Sequence, residues 1–262
     1  MDILTIIGLL LAAAAIVGGQ VLEGGHISSI LQPTAALIVF GGTLGAVLVQ
    51  YSFRMVVDSI ILGARTFTVN KHDLTDIIPD ITNFARYAQR EGILALEKRL
   101  KGIDDPFFRK GLQLVVDGTG LNELKDILEI EIDLAEERRM SAAKVFESAG
   151  GYAPTIGILG AVLGLIQVME NLADPSMLGE GIAVAFVATV YGVASANLIW
   201  LPMAGKIKLR TRENTIQKEM ILEGLVAMLS GQSPRLIEDR LEGFVSRSQW
   251  KEGERGYYGK AK

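Results

Sequence analysis

The chain has 262 residues, 49% of them hydrophobic, with two histidines and no cysteine. Disulfides, thiolate chemistry and cysteine-built zinc sites are therefore excluded, and neither His26 nor His72 has ligand-spaced companions. The formal net charge of −4 is bland until it is divided along the chain. All the basic and most of the acidic residues then fall in two segments, and the remainder has the composition of a membrane protein.

Residues 3–22, ILTIIGLLLAAAAIVGGQVL, lie free of charge between Asp2 and Glu23. No basic segment precedes them and Ala12 to Ala15 fall inside the run, so an uncleaved helix is expected rather than a signal peptide. After the turn EGGHISS, residues 24–53 again hold no Asp, Glu, Lys or Arg. A second helix is expected from near Ile30 or from Pro33, because proline suits a first helical turn. Gly41 and Gly45 form a small-xxx-small pair, a weak signal of helix contact.

From Arg54 the composition turns polar. Asp73 is a candidate cap for a helix through DIIPDITNFARYAQREG, with Pro79 either bending it or marking a later start. Asp105 followed by Pro106 signals another start, and Gly118 a stop. Leu121 to Ser148 reads as a long charged helix, with Leu121, Leu124 and Leu128 on one face, leading directly into a third apolar run.

Residues 148–169 and 181–205 contain no charged side chain. At ~1.5 Å of rise per residue, each run is long enough to cross the ~30 Å hydrocarbon core of a bilayer. The acidic loop NLADPSMLGE joins them. Gly157, Gly160 and Gly164 recur at helical spacing along the first run, and Gly181, Ala185, Ala188, Gly192 and Ser195 along the second. Such stripes let membrane helices approach closely, and oligomer formation is expected to depend on the second. A charged segment, helical to about Met228, follows Met203. The last ~20 residues, rich in Ser, Gly, Lys and Arg, are expected to be disordered.

The fold class expected is an all-α integral membrane protein with four transmembrane helices. Its domains would be residues 1–50 (spans one and two), 51–150 (a cytoplasmic helical domain), 151–204 (spans three and four) and 205–262 (a cytoplasmic C-terminal segment). All 26 Lys and Arg lie in residues 51–150 or 205–262. The positive-inside rule therefore places both segments and both termini in the cytoplasm. Glu23, Glu170, Asp174 and Glu180 fall at the outer edge, forming a rim that attracts cations.

No GxxxxGK[ST] sequence is present, and the glycines lie within apolar runs, so helix packing explains them better than a phosphate loop. No Ser/His/Asp set or carboxylate pair stands out, so neither an enzyme nor a cofactor is expected, and nothing points to nucleic acid. A proton path needs a group that binds and releases the proton near mid-membrane. The third and fourth spans offer Thr155, Gln167, Thr189, Tyr191, Ser195 and Asn197, but no Asp, Glu, His, Lys or Arg. Local or interhelical hydrogen bonding is an equal alternative role for Ser195 and Asn197. Within an ion machine, a partner must bring the ionisable group.

LEGGH after the first span, the cytoplasmic REGILALE, and the runs APTIGILGAVLGLIQVM and DPSMLGEGIAVAFVATVYGVASANLIWLP together resemble the MotA/PomA family of flagellar motor stator subunits. The resemblance extends over about residues 1–245, and the start MDILTIIGLLLAAAAIVGG is similar to the MotC-like branch. It implies an inner-membrane subunit that couples ion flow to flagellar rotation. It also implies a pentamer of this chain around a MotB dimer, with MotB supplying the membrane Asp and anchored to peptidoglycan. FliG is the implied rotor contact.

Residue by residue, Thr189 matches the family's pore-facing threonine. Ala161 falls where sodium-driven members have Thr and proton-driven members typically have Ala, so the proton is the expected ion. Pro154 and Pro202 match two prolines implied in conformational coupling, and Arg90 and Glu97 match rotor-interacting charges. Gln89 departs from the family, whose well-studied members are basic there, with Arg86 a candidate to compensate. The alternatives are a sodium-driven stator or an ExbB/TolQ-like energising subunit, which typically has three spans. A secondary transporter would need an internal repeat carrying its own ion ligands, and neither is seen.

Overall fold

The computed structural model describes residues 3–65, 74–172 and 175–245. His72, Asp73, Asp174 and the tail from residue 246 lie outside the described residues. Among the described residues the chain is helical throughout, with no strand. Four stretches are long and apolar enough to cross a membrane, as the charge-free runs require.

The first is α1, Ile3–Leu22, none of whose residues is buried within the chain. A 3₁₀ turn, Ile27–Ile30, precedes the second span. That span comprises α2 (Pro33–Ala36), a π turn (Leu37–Gly41) and α3 (Gly42–Gln50). Pro33 opens α2 because its missing N–H would have no helical acceptor there. Next come α4 (Phe53–Arg65), α5 (Leu74–Glu91), a 3₁₀ segment (Ile93–Gly102) and α6 (Pro106–Val116). The 50-residue α7, Leu121–Glu170, carries the third span. The fourth is α8 (Pro175–Ser195), continued by a π turn (Ala196–Trp200) into α9 (Leu201–Leu229). The short α10, Pro234–Leu241, follows.

Local chemistry explains the boundaries. Asp105 caps α6, its carboxylate accepting from the N–H groups of Phe107 at 2.8 Å and Phe108 at 2.9 Å, which satisfies two of the donors every helix start leaves open. Gly118 ends α6 at φ +79, a conformation that disfavours a Cβ. Pro79 lies inside α5 without interrupting it.

The chain divides into two compact units, Met1–Val69 with Arg138–Arg210, and Asn70–Glu137 with Thr211–Lys262. In the first unit α4 and the segment of α7 from Arg138 group with the spans. Val56 of α4 is buried with Val47, Val145 and Ala149. At Gly63 an added Cβ would stand 2.8 Å from Phe146 Cζ, so glycine permits this close packing. In the second unit Ile81, Leu96, Leu112, Leu124, Leu128, Met220 and Leu225 are among the fully buried core residues. Leu124 and Leu128 are thus the buried face anticipated for the start of α7.

Candidate functional site

Within the first unit, α7 and α8 meet backbone to backbone. An added Cβ would lie 2.8 Å from Ala188 O at Gly157, 2.7 Å from Gly181 O at Gly164 and 2.6 Å from Ala153 O at Gly192. At Gly160 it would lie 2.8 Å from Ala188 Cβ. The structure therefore brings Gly157, Gly160 and Gly164 together with Gly181, Ala185, Ala188 and Gly192. This contact is inside one chain. Ser195 is buried at the end of the stripe and donates to Gly192 O at 3.2 Å. Within this chain Gly41 and Gly45 meet no other helix. Gly42 does, where an added Cβ would fall 2.8 Å from Ile156 Cγ2.

These contacts fix which flank of the α7–α8 pair turns toward the second span. Ile156 meets Gly42 there, and Tyr191 reaches Ile30 O at 2.6 Å. At about 100° per residue, Ala161 lies ~140° round α7 from Ile156, and Thr189 ~200° round α8 from Tyr191. Both therefore share the opposite flank. The Gly160–Ala188 contact puts them within about 3 Å of the same depth, counting ~1.5 Å of rise per residue. Each is half-buried, while Ile158, Leu165, Ile182 and Val193 nearby are exposed. Thr189 donates its hydroxyl to Ala185 O at 3.2 Å, which leaves the oxygen's lone pairs available to a donor. The flank is apolar, uncovered within the chain, and carries one hydroxyl.

Other polar groups of the spans are engaged locally. Asn197 donates to Val193 O at 2.9 Å, and Thr155 to Tyr152 O at 2.8 Å. Pro154 lies inside α7 and Pro202 at the second position of α9, directly after the π turn. Sequence reasoning placed Tyr191 among the polar groups of the spans but did not anticipate its contact with the second span. Its hydroxyl also accepts from Gln32 N–H at 3.3 Å, and its ring lies 6.0 Å from that of Phe40.

In the second unit Arg90 lies in the last turn of α5, and Gly92, at φ +84, turns the chain into the 3₁₀ segment. Leu96 and Leu100 anchor that segment in the core, leaving Glu97 outside. Arg90 and Glu97 are both exposed. Arg86 instead pairs with Glu238 at 3.5 Å and donates to Asn83 at 3.0 Å. Arg99 stacks on Tyr87, 4.1 Å from the ring centre. No group of three or more His, Asp or Glu among the described residues is placed to hold a metal ion.

Residues 99–247 match the MotA/TolQ/ExbB proton channel family, and residues 6–92 match the N-terminal region of motility protein A. The chain is 36% identical over 242 residues to Motility protein A of Bacillus subtilis, covering 92% of this chain and 90% of that one. Its fold is similar to the structure of C. jejuni MotAB, with a TM-score of 0.91 and 29% identity over 98% of this chain and 100% of the other. It is also similar to the flagellar MotAB stator complex from Bacillus subtilis, with a TM-score of 0.86 and 35% identity over 93% of this chain and 96% of the other.

Proposed function

The chain belongs to the MotA/PomA family of flagellar motor stator subunits, and on that premise we propose that it is driven by protons taken up on a carboxylate that a MotB-like partner supplies. The observation that carries this reading is the uncovered apolar flank with Thr189 as its hydroxyl and no ionisable side chain. Sodium needs several oxygen ligands once its hydration shell is partly removed. Thr189 offers one oxygen, and Ala161, at nearly the same depth, offers none.

A proton needs only the partner's carboxylate. Protonation makes that group neutral and removes most of the cost of carrying it through a low-dielectric interior. A ring of five copies then moves relative to the anchored partner dimer. Pro154 and Pro202 interrupt the helical hydrogen-bond ladder where α7 and α9 can bend. Exposed charges at Arg90 and Glu97 steer the rotor protein FliG, an effect that orients more than it binds and weakens with salt. No covalent chemistry and no cofactor enter this reading.

Swimming speed measured across a sodium titration at fixed membrane potential, with a protonophore control, tests the ion. Speed should be independent of sodium and abolished by the protonophore. Speed that rises with sodium and survives the protonophore overturns the proton reading and leaves the family membership standing. In the same assay, Arg90→Glu and Glu97→Lys should each slow swimming with ion uptake unchanged. If both swim like wild type, the rotor-facing role falls.

A further inference from the structure

The second span does not begin as a clean helix. Leu31 (φ −99, ψ 91) and Gln32 (φ −119, ψ 104) are extended between the 3₁₀ turn and Pro33. This break leaves the carbonyl of Ile30 and the N–H of Gln32 outside any helical ladder. Away from water such groups need partners, and irregular backbone is tolerated at membrane depth only where protein supplies them. The Tyr191 hydroxyl serves both, donating to Ile30 O at 2.6 Å and accepting from Gln32 N–H at 3.3 Å. Its ring lies beside Phe40 and packs against the buried cluster of Ala35, Val39, Val184, Val187 and Ala188. One side chain of the fourth span thus holds two consecutive pieces of the second.

We infer that Tyr191 is a positioning residue for the ion route, fixing the rotation of α8 and so the aim of Thr189. This rests on the reading that Thr189 faces the partner's carboxylate. Tyr191 and Thr189 stand on opposite flanks of α8, so a clamp on one flank sets the angle of the other. The glycine stripe between them sets how closely α7 and α8 approach, and beside the apolar cluster of Val184 and Val187 the Tyr191 hydroxyl adds a directional contact. A roll of ~10° at the ~5 Å radius of a helix with its side chains moves the Thr189 hydroxyl by about 1 Å. Displacements of that size cost on the order of 100-fold where a proton-transfer geometry must be met.

The test uses the full chain co-expressed with its MotB-like partner, with fluorescently tagged complexes counted per motor. Tyr191→Phe keeps the ring against Phe40 and removes only the hydroxyl. Speed per engaged complex should fall at least fivefold, with the number of complexes within twofold of wild type. The pH at half-maximal speed should shift in the same direction as in Thr189→Ser, because both change what the carboxylate meets. Loss of complexes with unchanged speed per complex would make Tyr191 merely structural and overturn the inference. Unchanged speed per complex and an unshifted pH profile would do the same. Thr189→Val serves as the separate arm: if it leaves ion uptake intact, the underlying reading of Thr189 fails, whatever Tyr191→Phe does.

Discussion

Glu242 is 7% exposed at the end of α10, an uncommon position for a carboxylate. Burial, and then the neighbouring carboxylates of Asp239 and Glu238, push its carboxyl above the ordinary range. The folded chain therefore holds this proton more tightly than the unfolded chain does. Its stabilising effect is fully present below the unfolded pKa and is lost as pH rises through the folded one. Glu242→Gln removes that titration. Its thermal midpoint in detergent, measured as a difference from wild type between about pH 4 and 8, should move increasingly in the variant's favour as pH rises. A flat difference would mean that Glu242 keeps its ordinary affinity for the proton. Nothing in the local sequence marks Glu242, since IEDRLEGF reads as an ordinary solvated helix end. Its burial depends on how α10 packs against α5, with Ile237 and Leu241 fully buried.

Among the elements, the α7–α8 contact was largely legible because bilayers restrict the alternatives. Charge-free length sets the spans, and spacing by three and four sets a face. Spacing does not say what that face meets. The Gly181–Ser195 stripe, read as a packing face, packs within the chain against Gly157, Gly160 and Gly164. Gly41 and Gly45 had equally good spacing, but it is Gly42 that approaches Ile156. The Tyr191 clamp joins residues more than 150 positions apart and left no periodic trace. These contrasts give a paired prediction. Gly192→Ala would press a Cβ to 2.6 Å from Ala153 O, a backbone atom that cannot swing aside. Overpacking of this kind costs about 1–3 kcal/mol, so the purified subunit should melt lower in detergent. Gly45→Ala meets nothing within 4 Å and gains up to ~1 kcal/mol in helix propensity. Equal melting losses at the two positions would show that the backbone contact is not what stabilises the pair.

At the scale of the whole molecule, the distribution of charge divides the work between two chains. All 26 Lys and Arg lie in the segments placed in the cytoplasm, and the charge-free runs of the spans contain no Asp, Glu, His, Lys or Arg. Hydroxyls such as those of Thr189 and Ser195 can relay a hydrogen bond, but they do not release a proton near neutral pH. A mid-membrane relay therefore has no resting point within this chain. The apolar flank beside Thr189 also offers no lining that would hold a continuous file of water. The subunit produced without its MotB-like partner should therefore be proton-tight. In vesicles with an imposed pH gradient and potassium clamped by valinomycin, an internal pH dye should report the rate of empty vesicles. Co-reconstitution with the partner should raise that rate, and replacing the partner's membrane Asp by Asn should return it to baseline. Conduction by this chain alone, undiminished in Thr189→Val, would place a proton-binding group somewhere other than the partner and remove the premise of the division.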